Sequence, residues 1–430
     1  MESEKIRRRG TRIPIPLIVF GMIIAMVLVS PYEYSWTLFT KPLGKVFGVA
    51  ATSYPIGTTF SVYIVVQALT MFISGRFLDK RRHLTPLFLV LAGILTSIGY
   101  ILSSFTTKSL GLYYLYTMYG IGSIGVGIVY GVGVSTALKW FTGKTRGLVV
   151  GLIDLGFGAG SFAISPLIEY LISSRNFHVA FFDIGLLMLL IIPFGALVRY
   201  PPSDYVPFGK TAAAATEVRK RVKKSSLELT PGEMTKRWQF YAIYVGFFFI
   251  AGAGLGIVGK LVSIGEGLGF TIAALIAVYL FPLANGIGRF VSGVVSDFIG
   301  RQASMLLFFG VTGIGLLVIG HIGVADAYIA VMMLIAFCWG PLFTLWPAMT
   351  GDYFGEKHSG GNYGLIYTSK AVAGLFAGYA FSLFYSKYGV HDSLILTGIM
   401  SLIAAVIGFS IFVPKNHASP QASAVPATTK

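Results

Sequence analysis

Gly293-Val294-Val295-Ser296-Asp297-Phe298-Ile299-Gly300-Arg301 closes a long apolar run, and Gly75-Arg76-Phe77-Leu78-Asp79-Lys80 closes another near the start of the chain. In each, a glycine stands four residues before an aspartate, and a cation follows. An element that recurs at the end of two apolar runs points to a chain built from two related halves. The runs themselves set the class. Roughly 20 apolar residues cross a bilayer as a helix. Twelve segments qualify, near 14–40, 54–77, 84–105, 111–139, 146–172, 179–199, 238–264, 271–296, 302–322, 326–350, 360–385 and 391–413. The two copies close the second and the eighth, so each marks the second span of a set of six.

Composition agrees. Of 430 residues 55% are hydrophobic and 12% charged, and mean hydropathy is +0.76. A soluble domain carries about twice that share of charge, roughly 25%. A net charge of +16 would suggest nucleic acid in a soluble protein. Here the cations cluster at span ends, so the charge is a topological signal and no nucleic-acid partner is expected. Twenty-five of the lysines and arginines lie on the side of both termini, loops 2–3 and 4–5 and the polar segment 201–237. Only Lys41, Lys45, Lys108, Arg175 and Lys387 lie opposite. The imbalance predicts a cell-membrane protein with both termini and the central segment in the cytoplasm. The first apolar segment is too long for a signal peptide's core, and no small-residue cleavage site precedes a mature domain.

The spans imply a bundle over 1–200, a cytoplasmic central loop over 201–237, a second bundle over 238–414 and a disordered cytoplasmic tail over 415–430. Within the central loop, Thr230-Pro231-Gly232-Glu233 reads as a helix start, with Thr as N-cap, Pro at the first position and Glu at the third. The basic run 219–224 suits either a solvated linker or contact with anionic lipid. Gly120-x-Gly122-x-x-Gly125 and Gly254-x-Gly256-x-x-Gly259 match a dinucleotide fingerprint, but both lie inside apolar spans, where small residues serve close helix packing. The single Cys338 excludes an intrachain disulfide, and no nucleophile, metal or phosphate-loop constellation is present. No enzyme activity, cofactor or metal is expected.

The chemistry lies in the charges inside spans: Glu33, Asp154, Glu169, Lys260, Arg289 and Lys370. A lysine at the bilayer centre costs roughly 2.5–3.5 kcal/mol, so it needs a partner, a wet cavity or a function. At about 1.5 Å per residue, Arg289 and Asp154 both lie roughly 12 Å from the basic-loop surface and Lys370 roughly 15 Å. The two cations thus fall near the midplane, where transporters hold substrate. Tyr363, Tyr367 and Lys370 share a face at i, i+4, i+7, as do Trp339, Phe343 and Trp346, while Asp154, Phe157 and Ser161 follow i, i+3, i+7. Such stripes usually serve packing, and for span ten alone packing is an equal reading; beside a buried cation, a stripe with tyrosines reads as a cavity wall.

The paired Gly-Asp element resembles the loop 2–3 motif of the major facilitator superfamily, G-x-x-x-D-(R/K)-x-G-(R/K). Phe298 occupies the first basic position of the second copy, and Arg82-His83 ends the first where the family has Gly and a cation. The resemblance implies an all-α membrane protein with twelve transmembrane helices in two six-helix bundles. It also implies that Asp79, Lys80, Asp297 and Arg301 latch the cytoplasmic gate. One branch, the oxalate/formate antiporter family, is similar in Tyr34-Ser35-Trp36-Thr37-Leu38, Gly127-Ile128-Val129-Tyr130-Gly131, Trp339-Gly340 with Pro347, and Asn362-Tyr363-Gly364 ahead of Lys370. Gly232-Glu233-Met234 before Trp238 also matches. In that family the span-eight Arg and span-eleven Lys clamp a small dianion and aromatic residues close the cavity, which carries over to Arg289, Lys370, Tyr34, Tyr130 and Trp339.

The chain departs from that pattern at Glu33 for Gln, Phe157 and Phe343 for Tyr, Tyr367 for Trp, and Asp154 for a small apolar residue. Lost hydroxyls and added acids favour a monocarboxylate, or a dianion that binds only after protonation. Since spans five and eight pack together in the superfamily, Asp154 and Arg289 are candidates for a buried pair, whereas Lys370 has no obvious partner unless Glu33 of span one serves. The expected partners are a small organic carboxylate, the lipid bilayer and protons, the last carried by Asp154 or Glu33 if the protein is a symporter rather than an exchanger. A monomer is expected. Drug or metabolite antiport and a non-transporting sensor are the competing readings.

Overall fold

A computed structural model describes residues 13–141, 143–201, 227–355 and 358–411. The terminal tails, the basic run 219–224 and the side chains of Lys144 and Arg146 lie outside the described residues. Apolar runs this long leave no water to satisfy backbone groups, so helix is the only local solution.

The spans are α1 (Ile15–Tyr34), α2 (Tyr54–Lys80), α3 (Thr85–Ser103), α4 (Gly111–Trp140), α5 (Gly143–Ser174), α6 (Phe177–Gly195), α7 (Trp238–Gly259), α8 (Thr271–Ile299), α9 (Arg301–Ile319) and α10 (Ala325–Phe354). The final helical stretch, Gly360–Ser410, runs for 51 residues, about twice what a bilayer needs. It folds back at Gly389, whose φ of 81° and ψ of −172° leave the helix. The break separates α11 (359–388) from α12 (390–410) and gives twelve spans. A π-helical turn at Phe376–Ala380 interrupts α11.

Large aliphatics such as Ile73, Leu87, Ile314 and Val406 point outward, where lipid is the solvent. The two halves meet along α5 against α8 and α2 against α11. At the end opposite the basic loops the contact is backbone to backbone. A Cβ on Gly57 would lie 2.0 Å from the Gly378 carbonyl oxygen, and one on Gly378 2.3 Å from that of Gly57. The Ser61 hydroxyl donates to the Gly374 carbonyl at 2.7 Å, and Lys41 pairs with Glu266 across the same seam. At the basic end Phe72 of α2 packs on Gly364, and Phe290 of α8 on Gly151.

The repeated Gly-Asp element ties helices within each half. Asp79 pairs with Lys139 at the end of α4 (2.6 Å), and Arg301 bridges Asp297 (2.9 Å) and Asp352 at the end of α10 (3.2 Å). Lys139 thus joins the residues of the motif as a partner of Asp79. Thr230 forms the expected capping box: its N–H donates to Glu233 at 2.8 Å, and its hydroxyl accepts from the Glu233 N–H at 3.4 Å. Those bonds to the carboxylate hold the Glu233 pKa below its usual value. The segment docks through Asn362, whose amide donates to the Leu229 carbonyl at 2.9 Å.

Candidate functional site

The site begins with the break in α1. Ser30 and Pro31 interrupt the helix, and α1 resumes over Pro31–Tyr34 before a second bend at Ser35. Proline has no N–H to give, so the hydrogen-bond ladder is interrupted at Pro31, although Ser30 itself keeps helical dihedrals at φ −54° and ψ −37°. The bends are pinned to α5 by Ser30 Oγ to Ser161 Oγ (2.9 Å) and Ser35 Oγ to Ser165 Oγ (2.8 Å). Neighbouring residues on a helix point about 100° apart. Glu33 therefore faces α11 while Tyr34 faces α8, and one short turn serves two cations.

Lys370 is fully buried, and its ammonium donates to Glu33 Oε2 at 2.7 Å, Gln67 Oε1 at 3.1 Å and the Tyr367 hydroxyl at 3.4 Å. Tyr63 donates to the same Glu33 oxygen at 3.0 Å. Arg289 spends its fork on three partners. Its η1 nitrogen donates to Asp154 Oδ1 at 3.0 Å, Nε to Asn285 Oδ1 at 2.9 Å, and the other η nitrogen to the Tyr34 hydroxyl at 2.9 Å. Tyr34 passes its own proton to Asn285 Oδ1 at 3.0 Å, and Tyr130 donates to Asp154 Oδ1 at 3.2 Å. Each cation is thus neutralised by a carboxylate from the opposite half: Lys370 of α11 by Glu33 of α1, Arg289 of α8 by Asp154 of α5.

One ring joins the two pairs. Phe343 lies 4.2 Å from the Arg289 guanidinium carbon and 5.1 Å from the Lys370 nitrogen, so its face attracts both. Tyr130 and Tyr367 stack at 5.7 Å on another wall, and Phe157 packs edge-on against Tyr130 at 5.0 Å. Glu33, Arg289 and Lys370 are at most 1% exposed and Asp154 4%, so these walls seal the site from both ends.

Trp339 lies one layer back. Its indole N–H donates to the Ile250 carbonyl at 2.9 Å, and its ring packs against Phe281 and Phe343. Trp346 faces away, against Phe309, because α10 breaks at Gly340-Pro341 and the i+7 register is lost. Lys260 is not inside a helix: α7 ends at Gly259, and the lysine donates to the Thr52 carbonyl at 2.8 Å on the seam between the halves. Three contributors were not evident from charge alone, namely Asn285, Tyr63 and Gln67. Their signal is spacing: Asn285 is four residues before Arg289, and Tyr63 and Gln67 are four apart on α2.

The sequence matches the Major Facilitator Superfamily over residues 18–378 and 265–430. The chain belongs to the major facilitator superfamily. Within the superfamily it falls in the oxalate/formate antiporter family. It is 32% identical over 386 residues to the oxalate:formate antiporter of Oxalobacter formigenes, covering 89% of this chain and 88% of that one. An uncharacterised transporter of the superfamily from Escherichia coli K12 is 25% identical over 84% of this chain and 85% of its own length. Monocarboxylate transporter 11 of Mus musculus is 27% identical over 57% of this chain and 52% of its own. The structure of a D-xylose-proton symporter superposes with a TM-score of 0.73 over 93% of this chain and 98% of that one, at 16% identity, so it shares the major facilitator fold. This superfamily member is a multi-pass membrane transporter of a small molecule and not an enzyme.

Proposed function

We propose that the protein is a secondary transporter of small organic carboxylates, with Arg289 and Lys370 holding the anion. The observation that carries the reading is the pair of buried cations, each holding a carboxylate already. A site that accepts Glu33 and Asp154 side chains presents carboxylate-shaped positions to any anion that displaces them. Arginine offers a planar fork and lysine a point charge, which suits one or two carboxylates rather than an amine or a sugar. Three buried groups in the site add to this. Glu33 Oε1, Gln67 Nε2 and the Tyr363 hydroxyl have no hydrogen-bond partner among the described residues, and each such group costs roughly 1–3 kcal/mol until one arrives.

Alternating access follows from the seams. The two bundles, 1–200 and 238–414, rock about the site, joined by the loop 201–237; the lysine and arginine bias supports a cytoplasmic loop and cytoplasmic termini in a cell-membrane protein, which works as a monomer in this reading. Tyr34, Tyr130, Phe157, Phe343 and Tyr367 close the cavity around the anion, and Trp339 buttresses Phe343. Asp79 and Lys139, with Asp297 and Arg301, brace the cytoplasmic ends of the helices that gate entry. Protonation of Asp154 or Glu33 frees the cation each one holds, which favours proton symport as the second reading.

Thermal-shift measurements on detergent-solubilised protein test the ligand class. Oxalate, formate, lactate and pyruvate at millimolar concentration should include at least one that raises the melting temperature, since binding at 100 times Kd adds about 2.7 kcal/mol. Sugars and amines at equal concentration should leave it unchanged. Stabilisation by amines or sugars alone would reject the carboxylate assignment.

A further inference from the structure

We propose that this transporter carries out net flux, with one proton moving beside each substrate carboxylate, and is not bound to one-for-one exchange. The inference rests on the carboxylate reading above and extends it to the mode of transport.

Charge in the closed form decides which crossings are possible. To change its open side, a carrier of this fold passes through a form in which both ends are shut. Two bare cations in a dry, closed site carry a heavy electrostatic penalty, and an anion must then accompany every crossing. Such a carrier exchanges and does nothing else. Here the chain supplies its own anions. Lys370 is held at 2.7 Å by Glu33 and Arg289 at 3.0 Å by Asp154, in a form whose ends are closed by Gly57 on Gly378 and by Phe72 on Gly364. The closed site is neutral with both acids ionised. It is equally neutral with both acids protonated and two carboxylate charges bound in their place. Both forms are therefore free to cross, one empty and one loaded.

The placement of the acids makes the switch depend on closure. Glu33 lies on α1 and Asp154 on α5, while their cations lie on α11 and α8 in the other half. Opening the halves parts each pair, exposes the cations to an anion and the acids to protons, and closing remakes one neutral set or the other. Glu33 accepts from Lys370 and Tyr63, and Arg289, Tyr34 and Tyr367 act on it across the site. Asp154 accepts from Arg289 and Tyr130, and Lys370, Tyr34 and Tyr363 act on it across the site. Among the described residues each acid pairs with one cation, and a carboxylate displaced from its cation takes up one proton.

The test uses the full chain in proteoliposomes, with labelled oxalate, formate and lactate each loaded in turn and valinomycin and potassium clamping the potential. Exchange is measured against the same unlabelled acid outside, and net efflux into acid-free buffer, both corrected for protein-free vesicles. For the acid that exchanges fastest, net efflux should run within about tenfold of exchange and be unaffected by the potential, as an electroneutral step requires. The Glu33→Gln, Asp154→Asn double variant should show a ratio of net efflux to exchange at least about 100-fold lower, because its empty closed form has two unpaired cations. Exchange by the wild type with no net efflux overturns this inference and leaves the carboxylate reading standing. No exchange and no efflux of any of the acids overturns the carboxylate reading, and this inference with it. The wild-type comparison stands alone if the double variant does not fold.

Discussion

Replacing Lys370 with Met lowers the thermal stability of the purified protein, and adding Glu33→Gln restores it. Met keeps most of the lysine stem, so packing against Tyr367 and Phe343 changes little. The loss is electrostatic. Removing one partner of a buried pair leaves the other charge uncompensated, at a cost of about 3–5 kcal/mol. Glu33 is 0% exposed, and its remaining donor is the Tyr63 hydroxyl at 3.0 Å, too little to hold a full charge. Glutamine in its place has no charge to compensate and still accepts from Tyr63. A scanning-fluorimetry cycle of the two single variants and the double reads the coupling directly. The prediction fails if the double variant melts no higher than Lys370→Met alone.

The second large effect is expected at Gly57. Valine there places its Cβ where the Gly378 carbonyl oxygen and the Ser382 hydroxyl stand, at 2.0 and 2.2 Å. The obstacle on α11 includes backbone, so the halves must part at this end rather than rearrange a side chain. Transport in proteoliposomes should fall by more than about 100-fold, since closure at the outer end is a step in every cycle. The same variant should stay open outward. Ser61→Cys, placed on the seam where Ser61 meets Gly374, becomes reactive toward a membrane-impermeant thiol reagent from outside. The natural Cys338 is 4% exposed and adds little background. Wild-type transport by Gly57→Val would mean that the close approach is not part of the cycle.

Much of this was legible in the sequence because the bilayer simplifies the problem. Apolar run length gives the spans, and the distribution of lysine and arginine gives the sidedness to expect of them. Counting residues from Asp297 and Arg146 placed Arg289 and Asp154 at one depth, and their 3.0 Å contact follows. Glu33 as the partner of Lys370 was also within reach, as the remaining unpaired acid of the first span. The uncharged members were harder to see. Asn285, Tyr63 and Gln67 carry no charge to flag them, and their roles depend on which face of α8 or α2 turns inward. Trp346 shows the limit of helical periodicity. The spacing from Trp339 is right, but the break at Gly340-Pro341 rotates the later turns toward Phe309. Lys260 shows another: a hydropathy window runs through a helix end that its backbone does not.

The account stands on the claim that the cations, and not the acids beside them, hold the substrate. Charge-balanced variants isolate it, because Lys370→Met with Glu33→Gln, and Arg289→Met with Asp154→Asn, each remove a pair without leaving a bare charge. Exchange of labelled oxalate, formate or lactate should be lost in both pair-deleted proteins and persist above background in Glu33→Gln and Asp154→Asn alone. Exchange that survives removal of both Lys370 and Arg289 would contradict the account.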